Sequence, residues 1–423
     1  MARVVMKFGG TSVADLDRMR RVARHVKRER EFGNQVVVTV SAMAGETNRL
    51  IEFCDQVGKP AEDLKVIDVE RDAVVATGEQ VSSGLLALIL QNLGIPARSW
   101  HGWQIKVHTN DQHGKARISD IDTEALSQAL DDGTVCVVAG FQGVTASDRV
   151  STLGRGGSDT TAVALAAALG AERCDIYTDV DGVYTTDPRI TKTAKRIDRL
   201  SFEEMLEMAS LGAKVLQTRS VELAMAHNVH LRVLSSFQNP DEIGPNTVIC
   251  DEDDKMEQNI VSAVTLSRDD CRISLLSVPD EPGRAAFIFQ RMAELGVNID
   301  MIIQSPARAT GANISFTLPL SEMDQAETEL SRLQDEIGYA EIISDRNVSK
   351  VSVIGVGMRS HAGVASLMFK ALAEKGINIH NISTSEIKIS VLIDAEYSEL
   401  AVRALHTVYG LDGEATASVA GTP

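Results

Sequence analysis

The sequence predicts an α/β protein in which a mainly parallel sheet is sandwiched by helices and is followed by a duplicated α+β module. Strand-like and helix-like stretches alternate along the first half of the chain, and several strands end in glycine-rich or acidic loops. The second half repeats itself at a fixed spacing, which is typical of a small module present twice. The 423 residues suffice for about two to four domains with buried cores.

A lysine stands at the end of the first predicted strand, residues 4–8, where Lys7 precedes the pair Gly9 and Gly10. Residues without Cβ allow backbone N–H groups to approach a polyphosphate, a following helix start adds partial positive charge, and the lysine adds a full charge. A Walker A loop places its lysine after the glycines, so a P-loop NTPase is the wrong comparison. Taken alone, the glycine pair is equally typical of an ordinary tight turn.

A second glycine-rich loop, residues 153–161, carries Arg155 among three glycines. It lies between a strand-like run over residues 135–139 and a predicted helix over residues 162–169. The planar guanidinium offers a fork of donors that suits a carboxylate or a phosphate. The alternative is a flexible loop with a solvated arginine.

A third segment, residues 174–189, predicts a strand that ends in an acidic turn and an Asp-Pro stop. Acidic side chains there can hold ribose hydroxyls or the waters of a magnesium ion, although Asx turns are the more common reason for such residues. Because ligands collect at the carboxyl ends of strands in open α/β sheets, we expect the binding chemistry to lie at these strand ends. Apolar patterns predict further elements, namely helices over residues 15–30, 80–90, 202–209 and 214–227 and a buried strand over residues 36–40.

Composition narrows the function classes. With 42 Lys and Arg against 59 Asp and Glu the formal charge is −17, so repulsion opposes nucleic acid and anionic membranes, and we expect neither as a partner. Five scattered cysteines without a C-x-x-C pair predict neither a zinc site nor a disulfide framework, and we expect no metal ligand in the protein. The chain starts without a signal segment and has no uninterrupted apolar run of about 18 residues, so we expect a cytoplasmic protein.

The second half contains two copies of one unit, since residues 282–302 align with residues 362–382 at an offset of 80. Each copy reads as strand, glycine turn, amphipathic helix, glycine cap and strand. The matched positions include Gly283 and Gly363, Phe289 and Phe369, and Asn298 and Asn378. A polar, acidic stretch over residues 236–255 predicts a linker before these copies, with a boundary near residue 260. A repeat of this kind can also be scaffolding without a ligand.

Taken together, these motifs resemble the aspartokinases of the amino-acid kinase family, and the likeness runs from residue 4 to about residue 411. The matching motifs are residues 7–12, 40–43, 77–80, 154–159 and 178–189. The resemblance implies an amino-acid kinase fold followed by two ferredoxin-like ACT domains, modules that bind free amino acids where two of them pair. The implied boundaries are a catalytic domain over residues 1–250, a linker over 251–262, ACT domains over 263–345 and 346–412, and a tail over 413–423.

The resemblance also implies a reaction: ATP phosphorylates the side-chain carboxylate of L-aspartate with Mg²⁺ as cofactor, the first step towards lysine, threonine and methionine. Lys7 would lie over the γ-phosphoryl group, Arg155 would clamp a substrate carboxylate, and Asp159 would orient Lys7 or the substrate amine. The implied substrate-binding residues are Ser41, Thr47, Glu79, Arg155 and Ser158. The implied ATP-binding residues are Lys7, Phe8, Gly9, Gly10, Thr178, Asp179, Tyr184, Arg189 and Lys214. Glu79 could instead complement a helix dipole, and Lys214 could be an ordinary helix-start residue.

Regulation by lysine and threonine is implied through the ACT modules, and we expect the two together to inhibit more than either alone. The implied effector residues are Asp280, Gly283, Asn298, Ile299, Asp300, Gln304, Asn378, Ile379, Thr384, Ser385 and Glu386. Relatives carry a Gln-Asn pair and an acidic turn where this chain has Gln304-Ser305 and residues 309–313, which leaves the identity of the effector open. ACT pairing implies a homo-oligomer, and Met256 offers an internal start for a separate regulatory subunit in an α2β2 assembly.

Two other function classes fit parts of the sequence. An amino-acid kinase with another acceptor, such as acetylglutamate or glutamate, would share the glycine loops but not the paired ACT modules. A non-catalytic amino-acid sensor would keep the modules but lose the phosphate-binding groups, whereas Lys7, Arg155 and Asp159 are all present.

Overall fold

The computed structural model describes residues 1–57, 67–213, 215–253, 256, 259–306 and 311–413. The chain divides into two compact units. The first unit comprises Met1–Val183, Arg196–Ser210 and Lys214–Met256, and the second comprises Tyr184–Lys195, Leu211–Ala213 and Glu257–Pro423. The main division therefore falls within the predicted linker, while residues 184–195 pack with the second unit although the prediction placed them in the catalytic domain.

Fourteen strands and eight helices are described in the first 250 residues. The strands are β1 (Arg3–Phe8), β2 (Gln35–Val40), β3 (Ala97–Trp100), β4 (Val107–Thr109), β5 (Ile118–Ile121), β6 (Val135–Ala139), β7 (Gln142–Val144), β8 (Val150–Thr152), β9 (Arg173–Thr178), β10 (Val183–Tyr184), β11 (Arg196–Ile197), β12 (Arg199–Ser201), β13 (Leu231–Ser235) and β14 (Asn246–Cys250). The helices are α1 (Leu16–Glu31), α2 (Glu46–Gln56), α3 (Ile67–Val75), α4 (Thr77–Asn92), α5 (Glu124–Asp131), α6 (Gly157–Ala168), α7 (Phe202–Ser210) and α8 (Thr218–Ala226).

Eight of these strands form the main sheet of the first unit, in the order β12-β14-β13-β9-β1-β2-β6-β3. Neighbours are parallel except β13 and β14, which run antiparallel. The predicted, mainly parallel sheet is confirmed. In the register of the sheet Lys7 lies between Thr39 of β2 and Ile176 of β9, so the carboxyl ends of these three strands meet at one edge. A second, four-stranded sheet has the order β5-β4-β7-β8.

The core of the first unit follows from the apolar runs of the sequence. Five of the six residues of β1 and of β2 are buried, and α1 covers them with an apolar stripe that includes Met19, Val22 and Val26. The helix predicted over residues 15–30 is found as α1, and a separate turn lies between it and the glycine pair. A short 3₁₀ turn, Gly10–Val13, follows the glycines, and α1 begins only at Leu16 because the Asp15 side chain caps it.

One helical stretch, Asp68–Asn92, is long and apolar enough to cross a membrane by length and composition, and half of it is buried in the fold. Its apolar residues are interrupted by polar ones such as Gln80 and Ser82, so the stretch is not an uninterrupted apolar run. Helix α4, the second part of this stretch, packs against β3 and β6 of the main sheet, with Leu86 and Leu90 in the core.

The second unit contains most of the repeated half of the chain. Its strands are β15 (Ala263–Ser267), β16 (Asp270–Val278), β17 (Ile302–Pro306), β18 (Ala312–Pro319), β19 (Glu341–Asp345), β20 (Val348–Ile354), β21 (Asn381–Thr384) and β22 (Lys388–Asp394). Its helices are α9 (Arg284–Glu294), α10 (Met323–Arg332), α11 (Gln334–Ile337), α12 (Val364–Glu374) and α13 (Ser398–Val408). Helices α9 and α12 have equal lengths and lie 80 residues apart, as the internal repeat predicts.

The repeat forms two four-stranded antiparallel sheets, β17-β18-β16-β19 and β15-β20-β22-β21, each with its own apolar core. The predicted first module, residues 263–345, is wrong at its start. Strand β15 pairs with β20 in the second sheet, with Ala263 opposite Ile354. Backbone hydrogen bonding, which the spacing of apolar residues does not reveal, decides which sheet an edge strand joins.

Candidate active site

Lys7 is a buried, ion-paired cation at the carboxyl edge of the main sheet. It is only 9% exposed, and its ammonium forms an ion pair with the carboxylate of Asp159. Asp159 lies in the first turn of α6, so one short contact ties the end of β1 to the start of the helix that follows the Arg155 loop. Since the pair is largely removed from water, both charges are held in place rather than screened.

The glycine turn after β1 lies against the loop after β2. A Cβ on Gly10 would lie 3.0 Å from the carbonyl oxygen of Ala42, so the close approach of these loops favours glycine. The N–H of Gly9 donates to the Tyr177 carbonyl (3.3 Å), so this predicted phosphate donor is already occupied. Phe8 is also different from the prediction. Its side chain is fully buried and stacks on Tyr177 with ring centroids 4.6 Å apart, so the side chain is not available to a nucleotide.

The loop that carries Arg155 combines a closely packed glycine with an exposed side chain. Gly156 has a φ of +68°, and a Cβ there would lie 2.1 Å from Cγ of Gln217. Arg155 is exposed, and it makes no hydrogen bond or ion pair with any residue that the structure describes. Ser158, which follows in the first turn of α6, is buried. The loop is therefore closely packed at its glycine, whereas its guanidinium remains available for a ligand.

Glu79 provides the site with a buried acid. It lies in the first turn of α4 and is 3% exposed. One carboxylate oxygen accepts a hydrogen bond from the N–H of Ala42 (3.0 Å), while Oε2 has no partner among the described residues. Burial raises the pKa of Glu79 from 4.5 to about 7, and the Ala42 N–H opposes this only in part. An ammonium group at Oε2 would stabilise the charged carboxylate.

Four further predicted residues lie at or after the ends of strands β2 and β9 in the chain. Ser41 follows β2 and is half-buried, and Thr47 is half-buried in the first turn of α2. Thr178, the last residue of β9, donates its hydroxyl hydrogen to the exposed carboxylate of Asp179 (3.1 Å). Together with Lys7, Asp159, Arg155, Ser158 and Glu79, these residues all belong to the first unit.

Three of the predicted ATP-binding residues lie outside the described part of the first unit. Tyr184 and Arg189 belong to the segment that packs with the second unit. The Arg189 guanidinium is exposed and makes an ion pair with Asp187 (2.8 Å). Lys214 lies outside the described residues. The binding of ATP by Tyr184, Arg189 and Lys214 therefore stays a prediction.

The sequence patterns do not single out Phe141, which follows β6 and a glycine. Its φ is +68°, a conformation that is strained for a bulky side chain. It is held there because its N–H donates to the hydroxyl of Thr161 (3.1 Å) and its carbonyl accepts from the N–H of Leu153 (2.9 Å). Strained residues of this kind cluster at functional sites, but only the backbone angle reveals them.

The second unit contains a cavity of about 490 Å³ at the start of α9, where regulation is predicted. It is lined by residues 279–285 with Gln304, Ala312 and Ile314, and so includes the predicted Asp280, Gly283 and Gln304. The other predicted residues of this module, Asn298, Ile299 and Asp300, do not line it. The carboxylate of Asp300 instead makes an ion pair with Lys350, which also pairs with Asp270 (2.9 Å) and so links the two modules.

In the second module the predicted effector residues are mostly exposed. Asn378, Thr384, Ser385 and Glu386 are at the surface, whereas Ile379 packs against the core. Glu386 lies 3.6 Å from the Arg359 guanidinium. Residues 309 and 310, part of the departure from the family pattern, lie outside the described residues.

Comparison with known proteins identifies the family. The amino acid kinase family matches residues 2–235, and ACT domain families match residues 273–338 and 351–409. The chain is 51% identical over 416 residues to an aspartate kinase of Pseudomonas putida, which covers 98% of this chain and 99% of that protein. The structure matches Escherichia coli aspartokinase III in complex with aspartate and ADP, with a TM-score of 0.77 and 29% identity over 96% of this chain and 99% of that one.

A second solved structure, the Escherichia coli enzyme in complex with lysine and aspartate, matches with a TM-score of 0.73 and 29% identity, covering 96% of this chain and 99% of that one. The fold, the order of the domains and the full-length identity agree with the family that the motifs predict. The chain therefore belongs to the aspartokinases, members of the amino acid kinase family that carry two ACT domains.

Proposed function

We propose that this chain transfers the γ-phosphoryl group of ATP to the side-chain carboxylate of L-aspartate at the carboxyl edge of the main sheet. The observation that carries the proposal is the combination of three charges in one unit. Lys7 is buried and paired with Asp159, whereas among the described residues neither the Arg155 guanidinium nor one buried carboxylate oxygen of Glu79 has a partner. An amino acid offers an ammonium group for Glu79 and a carboxylate for Arg155, which leaves its side chain for the reaction.

In this reaction a carboxylate oxygen of aspartate bonds to the γ-phosphorus as the bond from that phosphorus to the bridging oxygen of ADP breaks. The products are 4-phospho-L-aspartate and ADP. No general base is required, because a carboxylate with a pKa near about 4 is already ionised at neutral pH. The difficulty is the repulsion between two anions, so catalysis depends on alignment and on opposite charge where negative charge moves.

Each residue has a defined part in that task. Lys7 would neutralise the transferring phosphoryl group, and Asp159 would hold the lysine ammonium at the strand end. Arg155 would bind the α-carboxylate of aspartate with two parallel hydrogen bonds. Ser41, Thr47 and Ser158 would donate hydrogen bonds on the substrate side, and Thr178 and Asp179 would face the nucleotide.

Mg²⁺ is proposed as the metal that accompanies ATP, where it supplies charge neutralisation on the phosphates. No group of three His, Cys, Asp or Glu side chains that could hold a metal is found among the described residues. Mg²⁺ keeps several waters and is commonly carried by nucleotide phosphates, so the proposal does not require a protein ligand.

The experiment that tests the proposed function measures ADP release with aspartate, N-acetylglutamate and glutamate as parallel acceptors. We expect turnover with aspartate alone, together with trapping of the acyl phosphate by hydroxylamine. Turnover with another acceptor would assign a different amino-acid kinase. ATP binding to the chain without turnover of any acceptor would favour a sensor.

We further propose that lysine and threonine inhibit the enzyme by binding to the ACT modules. The relative from Escherichia coli has been solved with lysine bound. Here the cavity at α9 contains the acids Asp280 and Glu281 for an ammonium group beside the first residues of an 11-residue helix, where a carboxylate is favoured. Initial rates with millimolar lysine, threonine or both should fall most with both, and unchanged rates would contradict this proposal.

The ACT modules are also the proposed contact in a homo-oligomer. Strands β17 and β21 are equivalent edges of the two sheets, and each exposes an isoleucine, Ile302 (53%) and Ile382 (43%). Exposed apolar edge strands are templates for pairing with another chain. Light scattering after size exclusion should give at least a dimer. An α2β2 assembly from a start at Met256 would add a second band, near the mass of residues 256–423, in native extracts.

A further inference from the structure

We propose that Asp72 is a positioning residue for aspartate binding, because it fixes the start of the loop that presents Arg155. This inference rests on the proposed function, in which Arg155 binds the substrate carboxylate. Asp72 lies on α3 and is 3% exposed. It is 80 residues away from the loop in sequence and belongs to none of the motifs described above.

The Asp72 carboxylate accepts hydrogen bonds from two segments of the chain. It accepts from the N–H of Thr152 (2.8 Å) and from the Thr152 hydroxyl (2.5 Å). It also accepts from the N–H of Gly114 (3.1 Å), and Nδ1 of His113 lies 2.8 Å from it. Burial of a carboxylate is unfavourable without such partners, so these hydrogen bonds hold the carboxylate and its donors together. Thr152 is the last residue of β8 and stands three positions before Arg155.

The second segment then supports the loop directly. The N–H of Ala116 donates to the Thr152 carbonyl (2.9 Å), and the Gly114 carbonyl oxygen lies 2.9 Å from where a Cβ on Gly154 would be. From the side of α8, Arg219 donates to the carbonyls of Leu153 (2.9 Å) and Ala116 (2.7 Å). The chain is thus fixed at residues 152 and 153, immediately before the free Arg155 side chain.

This arrangement makes Asp72 more than a general contributor to stability. Bidentate recognition of a carboxylate requires the guanidinium within about 0.5 Å and 10–20° of its productive position. Release of Thr152 would let the loop shift, and a misplacement of about 1 Å is enough to lower the efficiency of an enzyme about 100-fold. Loss of this positioning should therefore weaken the binding of aspartate, the proposed ligand of Arg155, and should leave the binding of ATP unchanged.

The test measures KM for aspartate, KM for ATP and kcat in full-length variants, with Asp72→Asn as the main change. We expect KM for aspartate to rise about tenfold or more, the size of effect that loss of a charged hydrogen bond produces. KM for ATP and kcat should change less than about threefold. Asp68→Asn is the matched control, since Asp68 is exposed one turn earlier on the same helix, and it should behave as wild type.

A double-mutant cycle separates positioning from a structural role. In the Arg155→Ala background, Asp72→Asn should raise KM for aspartate by no more than about twofold, because its effect passes through Arg155. An undiminished effect in that background, or an equal rise in KM for ATP, would overturn the inference. If Arg155→Ala itself leaves KM for aspartate unchanged, the proposed role of Arg155 fails, which is a different outcome.

A second pair of variants covers the case in which Asp72→Asn does not fold, as judged by circular dichroism. Thr152→Val removes the hydroxyl bonded to Asp72, whereas Thr152→Ser keeps it. We expect the valine variant to raise KM for aspartate and the serine variant to retain the wild-type value. Equal KM values for the two variants would overturn the inference.

Discussion

Replacement of Glu79 by glutamine should make the ligand-free protein more resistant to alkaline pH while abolishing tight aspartate binding. The physical reason is the burial of the carboxylate, which raises its pKa from 4.5 to about 7. Between these values the folded chain binds more protons than the unfolded chain, so the free energy of unfolding falls as pH rises through this window. Glutamine is neutral at every pH and lacks this dependence.

The magnitude follows from the size of the pKa change. At pH 8 the raised pKa lowers the free energy of unfolding by about 3 kcal/mol, and at pH 5 by less than about 1 kcal/mol. The variant has its own penalty of about 1–3 kcal/mol, because its amide nitrogen replaces an oxygen that lacks a partner. That penalty does not depend on pH. Between pH 5 and pH 8 the free energy of unfolding of the wild type should therefore fall by about 2 kcal/mol relative to that of the variant.

Urea denaturation followed by tryptophan fluorescence measures this difference in the unit that matters, because both tryptophans of the chain, Trp100 and Trp103, lie in the first unit. Added aspartate should restore the stability of wild type at pH 8, since its ammonium group would stabilise the ionised Glu79, and should have little effect on the variant. If the free energy of unfolding changed with pH in the same way for both proteins, the raised pKa of Glu79 would be refuted.

Further predictions concern the same site. KM for aspartate should rise as pH falls below about 7, because protonated Glu79 cannot pair with an ammonium group, and a flat profile between pH 6 and pH 8 would contradict this. Lys7→Ala should lower kcat by about 100-fold or more while KM for aspartate changes little, as steady-state rates would show. Gly156→Ala should destabilise the chain by about 1–3 kcal/mol and weaken aspartate binding. Its control, Gly170→Ala, also has a positive φ (+57°) but open space around the new Cβ, so equal effects in thermal melts and aspartate titrations would contradict a packing role.

Much of the fold follows from local sequence patterns. The apolar run of β6 is found at its predicted bounds, and α9 and α12 lie where the repeat of 80 residues places them. Lys7 also stands at the predicted end of β1, directly before the glycine pair. These features depend on periodicity and glycine chemistry, which a single sequence displays.

Other features depend on long-range contacts and could not be predicted. The sequence does not reveal that Oε2 of Glu79 lacks a partner, that Asp72 binds a strand 80 residues away, or that β15 joins the second sheet. In each case a tertiary hydrogen bond or its absence decides the structure.

A crystal structure with ADP and aspartate bound is the most direct test of the site. We predict the aspartate ammonium group within hydrogen-bonding distance of Glu79, its α-carboxylate on Arg155, and Lys7 between the reacting side-chain carboxylate and the nucleotide phosphates. Binding of either ligand away from Lys7 and Arg155 would contradict the proposal that these two cations bring the repelling anions together.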